Sequence, residues 1–200
     1  VVDIIREESE RVILHSAAHK EDEDLFAPIV PSAKRRGFWL GINLVTVFMA
    51  SAVIGQFEEV LDKIVALAVL LPVVASMGGI AGSQALTLTI RGLALDQIAN
   101  ANVRWLIGKE VAVGALNGLV WAIVVAAVAY VWFDSAGIAV TIATAMTVNL
   151  LIAALAGVVI PILLTRFGID PALSGAVVLT TVTDIVGFLS FLGLATIILL

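Results

Sequence analysis

Leu173 to Leu200 reads LSGAVVLTTVTDIVGFLSFLGLATIILL, twenty-eight residues in which Asp184 is the only charge. A helix needs about 20 apolar residues to cross a hydrocarbon core of about 30 Å, so this run is long enough to span a bilayer. Asp184 lies too deep within it for so short a side chain to reach the interface. A carboxylate near the bilayer centre costs about 2.5–3.5 kcal/mol on insertion scales, and a partner, a water-filled path or a cation must offset it. Thr180, one helical turn before Asp184, and Gly187, about one turn after it, share its polar stripe. The hydroxyl can orient a water and the glycine can expose backbone carbonyl. The alternative is a protonated Asp184 hydrogen-bonded in a helix contact. No lysine or arginine lies inside an apolar run, which favours a mobile cation or proton as the compensating charge.

The rest of the chain has the same character. Of 200 residues, 61% are hydrophobic and only 14% are charged, and the charges cluster. A soluble domain is nearer 45–50% apolar, roughly, so the fold class is an all-α membrane protein. Without cysteine there is neither a disulfide framework nor a thiolate metal site. Five apolar runs are expected to span: about Gly37–Phe57, Ile64–Ile90, Val111–Phe133, Ile138–Leu164 and Leu173–Leu200. Residues 1–20 read as a charged amphipathic helix with no signal-peptide core, so a cytosolic domain is expected before Val1. Residues 1–31 are thus a cytosolic connecting helix and linker, and 32–200 a five-span membrane domain. Asp170-Pro171 signals a helix start, the aspartate as cap and the proline at the first helical position.

Orientation follows from basic residues per side. Lys34, Arg35, Arg36, Arg91, Arg104, Lys109 and Arg166 fall on one side and only Lys63 on the other. The N-terminal helix is therefore expected in the cytoplasm and Leu200 outside.

Two further stretches carry candidate chemistry. The second run, LPVVASMGGIAGSQALTLTIRG, holds Pro72, Gly78, Gly79, Gly82 and Gln84. Close helix packing explains glycines four apart. A loosened helix lining a cavity, with Ser76, Ser83, Gln84 and Thr87 as hydrogen-bond partners for water, explains the polar residues as well. Asn149 is the preferred amide for a ligand role, because its span directly precedes the one bearing Asp184. Glu21, Asp22, Glu23 and Asp24 form either a solvated connection or a divalent-cation contact. No nucleophile–base pair points to an enzyme.

These motifs resemble a known family. PVVASMGGIAGSQALTLTIRGLAL is similar to the glycine-rich second span of the MgtE magnesium channel/transporter family. FGIDPALSGAVVLTTVTDIVGFLSFL resembles its Asp-Pro-Ala entry to the fifth span, with the pore aspartate fourteen residues after the Asp, as Asp170 and Asp184 are here. The resemblance implies a homodimer in the cell (inner) membrane with its pore along the subunit interface, lined by spans two and five. It would place Gly79, Ser83, Thr87, Ala176, Thr180, Gly187 and Asn149 along the pore, and would have paired Asp184 residues hold Mg2+, or Mn2+ or another divalent cation, through hydration waters. It also implies cytosolic N and CBS domains upstream, joined by a plug helix. Glu7, Glu8, Glu10, Glu21 and Asp22 would then be regulatory cation contacts, the bilayer the other partner, and nucleic acid none. Two positions depart from the family pattern: Gly78-Gly79-Ile80 where Gly-Gly-Asn is common, and Ser174-Gly175-Ala176 where Ser-Gly-Pro is usual. A proton- or sodium-coupled transporter and a non-conducting membrane anchor or sensor are the alternative functions.

Overall fold

The computed structural model describes residues 28–99 and 101–200. Among them every regular element is a helix: α1 (Ile29–Gly55), α2 (Glu58–Lys63), α3 (Val65–Ala94), α4 (Val103–Phe133), α5 (Ala136–Arg166) and α6 (Pro171–Leu199). All but α2 are long and apolar enough to cross a membrane, so the chain is a multi-pass membrane protein. The amphipathic helix expected over 1–20 and the acidic run at 21–24 lie outside the described residues.

The helices overrun the apolar runs that announce them. α4 starts at Val103, not Val111, because hydropathy marks where charge begins while the backbone keeps its helix through Arg104, Lys109 and Glu110. The acidic connection after α1 is itself the short helix α2, where the Lys63 ammonium reaches Glu59 at 2.7 Å one turn back. That exposed contact holds the Glu59 carboxyl below its ordinary value.

The caps follow local chemistry. The Asp170 side chain accepts the Ala172 amide at 2.9 Å with Pro171 at the first helical position, as the sequence predicts. Between α4 and α5 the chain reverses in two residues. Asp134 takes the left-handed conformation with φ of 49°, and the Ser135 hydroxyl accepts from Ile138 N–H to start α5.

α5 is the centre of the bundle, packed against α4, α3 and α6, while α3 also packs on α6. α1 leans mainly on α6, touching the core through Ala50 and, less deeply, Val53 and Ile54. Close approach depends on glycine at named crossings. A Cβ on Gly114 would sit 2.7 Å from that of Ala154, and one on Gly157 would sit 2.7 Å from the Gly82 carbonyl. Two apolar clusters result. One joins Leu67, Leu70 and Val74 of α3 to Ile142 of α5 and to Phe188, Phe191 and Leu192 of α6. The other joins Leu86, Ala156 and Leu179 nearer the opposite end.

Candidate functional site

α3 and α6 run antiparallel. Gly187 lies against Val74, Leu179 against Gly82, and Gly175 against Leu86. This register sets Asp184 level with Met77, between Ser76 and Gly79, and Thr180 level with Ala81, between Ile80 and Ser83. The two helices leave an open groove of about 960 Å³, walled by Ala75, Ser76, Gly79, Ile80, Ser83, Gln84, Thr87 and Leu88 of α3 and by Thr180 and Asp184 of α6. Asp184 is partly buried in its wall. No hydrogen-bond or ion-pair partner of its carboxylate is found among the described residues. The candidate residues Asp184, Gly79, Ser83, Thr87 and Thr180 thus meet on one surface, drawn from two helices almost a hundred positions apart in sequence.

The two threonine hydroxyls in this wall are polarised one way. Thr87 Oγ1 donates to the Ser83 carbonyl at 2.8 Å, and Thr180 Oγ1 to the Ala176 and Val177 carbonyls at 3.0 and 3.1 Å. A carbonyl only accepts, so each threonine spends its proton on its own helix and turns lone pairs to the groove. A hydrated cation turns its waters' hydrogens outward. Acceptors with no competing proton, together with one carboxylate, suit that shell better than donors do. Ile80 interrupts the polar wall with a branched apolar side chain, 59% exposed, between the levels of Asp184 and Thr180.

Other candidates fall elsewhere. Asn149 of α5 is fully buried, and its Nδ2 donates to the Val74 carbonyl at 2.9 Å. Gly187 packs against that same amide, so both lie in the interior behind the groove. Ala176 is exposed on α6 and is not part of the groove wall. Glu7, Glu8, Glu10, Glu21 and Asp22 lie outside the described residues. No group of three metal-ligating side chains occurs among the described residues, so one groove surface offers a single carboxylate.

The structure also buries Glu110 on α4, where the sequence suggests only a polar connection. It is 7% exposed and takes the Lys109 ammonium at 3.0 Å. Gly114 and Gly118 repeat at four-residue steps from it and face α5, and that spacing is the signal that Glu110 turns inward.

A family model described as MgtE, divalent cation transporter, matches residues 71–194, a stretch that covers both groove helices. The magnesium transporter MgtE of Bacillus subtilis (strain 168) is 30% identical over 196 residues, 98% of this chain and 44% of the relative. That of Thermus thermophilus is 33% identical over 161 residues, 80% of this chain and 36% of the relative. That of Enterococcus faecalis is 29% identical over 197 residues, 98% of this chain and 43% of the relative. The chain therefore spans less than half the length of these curated relatives.

Proposed function

The chain belongs to the MgtE family of divalent cation transporters, and from that premise we propose that it forms the conducting domain of a Mg2+ channel. Two copies face each other across the α3–α6 groove and close it into a pore, with Asp184 from each subunit holding the ion through its hydration waters. The observation that carries this reading is the meeting of Asp184, Thr180, Ser83, Thr87 and Gly79 on one open groove.

The chemistry fits a hydrated ion. Mg2+ demands octahedral oxygen geometry at roughly 2.0–2.1 Å and dehydrates reluctantly, so it keeps several waters and uses one or two carboxylates. One Asp184 per subunit meets that need without binding too tightly for release. Two unscreened carboxylates near a shared axis repel, and a divalent ion between them relieves the repulsion. Flux runs inward, with the N-terminal side in the cytoplasm, driven by about 4.6 kcal/mol per divalent ion per 100 mV. Cytosolic N and CBS domains gate the pore through the 1–31 segment, whose acidic residues contact the same ion.

Reconstitution in liposomes with an internal Mg2+ indicator tests the reading. Wild type is expected to admit Mg2+, while Asp184→Ala and Asp184→Asn, both still dimeric, admit none. Wild-type flux in both variants would return Asp184 to a packing role. Acidification or alkalinisation of the lumen coupled to uptake would favour a proton-coupled transporter.

A further inference from the structure

Asn149 sits where α3, α5 and α6 converge behind the groove. Its Nδ2 donates to the Val74 carbonyl of α3, a bond spanning 75 positions in sequence. The same carboxamide fills the space where a Cβ on Gly78 of α3 or on Gly187 of α6 would have to go. A Cβ on Gly187 would fall 2.8 Å from Nδ2 and 3.0 Å from Val74 Cγ1. Gly78 directly precedes Gly79 in the groove wall, and Gly187 lies one turn beyond Asp184. One amide therefore touches both walls from the rear.

Stability does not account for it. The Asn149 Oδ1 is buried with no hydrogen-bond partner among the described residues, and an unmatched buried acceptor disfavours the folded state. An apolar side chain would fill the same junction without that cost. The carboxamide supplies a directional tie to one wall and a planar wedge against both. Helices joined by packing alone slide and rotate more freely than helices joined by packing and a hydrogen bond.

We propose that Asn149 is a positioning residue of the groove: its carboxamide, bonded to Val74 and wedged between Gly78 and Gly187, fixes how the α3 wall bearing Gly79 and Ser83 faces the α6 wall bearing Thr180 and Asp184. The consequence for transport rests on the channel reading above. A groove of fixed width discriminates among hydrated cations of different size, and a loosened one does so less.

The test combines flux with a distance that does not depend on flux. The chain has no cysteine, so spin labels go only to introduced Val69→Cys on α3 and Leu189→Cys on α6, both exposed, in protein diluted with unlabelled copies. Mg2+, Mn2+ and Ca2+ entry into liposomes is measured for the parent, Asn149→Ala, Asn149→Leu and Asp184→Asn. Expected in Asn149→Ala are a broadened label distance and a Mg2+/Ca2+ ratio lowered by about threefold or more. Asn149→Leu keeps the bulk without the N–H and is the variant to measure should alanine yield no folded protein. It is expected to broaden the distance and lower the ratio as well. A parental ratio with a parental distance in either folded variant overturns the proposal. Asp184→Asn reports separately on the channel reading: conduction there sinks that reading, and the label distance still decides whether Asn149 positions the two walls.

Discussion

The Thr180 hydroxyl donates to the Ala176 carbonyl at 3.0 Å, one turn back along its own helix, and so meets the groove as an acceptor only. Thr180→Val keeps the side-chain outline and removes that acceptor one turn from Asp184. Losing one hydrogen bond to the ion's water shell is worth about 1 kcal/mol, or roughly fivefold in rate. Mg2+ entry into liposomes is expected to fall by about that factor in Thr180→Val and to stay near wild type in Thr180→Ser. Equal flux in all three would remove Thr180 from the ion path.

Gly79 and Gly187 separate a flux effect from a stability effect. A Cβ on Gly187 would meet Asn149 and Val74, whereas nothing lies within 4 Å of one on Gly79. Gly187→Ala is expected to destabilise the bundle by about 1–3 kcal/mol, the usual range for overpacking a tight interior. Gly79→Ala is expected to leave stability unchanged or raise it by up to about 1 kcal/mol, since alanine is the better helix former. Thermal unfolding in detergent measures both. Because the new methyl projects into the groove, Gly79→Ala is also expected to slow Mg2+ entry despite its intact fold.

The two ends of the bundle give predictions of opposite sign. Asp170→Ala removes the oxygen that accepts the Ala172 amide at the start of α6, and is expected to cost about 1 kcal/mol. Asp134→Gly relieves a side chain held at φ of 49° between α4 and α5. It is expected to stabilise by about 0.5–1 kcal/mol, because glycine carries no Cβ penalty in the left-handed region. Neither change touches the groove, so the Mg2+/Ca2+ ratio is expected to stay at the wild-type value in both.

What the sequence discloses follows from one-dimensional physics. Span length needs only a count of apolar residues, the helix start at Asp170-Pro171 needs only neighbours, and Asp184 stands out because it is alone. The facing of a helix needs its partners. Asn149 reads from sequence as a ligand beside Asp184, yet α5 runs through the middle of the bundle and turns that amide to the interior junction. Gly187 is about one turn from Asp184, but the 3.6-residue period offsets it by about 60°, enough to move it from groove to core. Glu110 is hidden by its charged surroundings, and only its four-residue spacing to Gly114 and Gly118 hints at the buried face.

Ile80 yields the most direct test of selectivity. Its branched side chain is exposed in the groove within one turn of the level of Asp184, where it offers the water shell of an ion no hydrogen-bond acceptor. The two groove faces of a dimer would repeat that apolar patch, leaving Asp184 to recognise the shell with less help from the α3 wall. Ile80→Asn supplies a carbonyl oxygen from each subunit there. A small, tightly hydrated ion that keeps its waters gains from an acceptor placed for its shell, while Ca2+, which accepts six to eight ligands in loose geometry, gains less. The Mg2+/Ca2+ entry ratio is expected to rise in Ile80→Asn by about threefold to tenfold, the equivalent of roughly one hydrogen bond. Ile80→Val, apolar and smaller, is the control and is expected to leave the ratio unchanged. If the valine variant raised it as much, groove width and not hydrogen bonding at this level would be setting the selectivity.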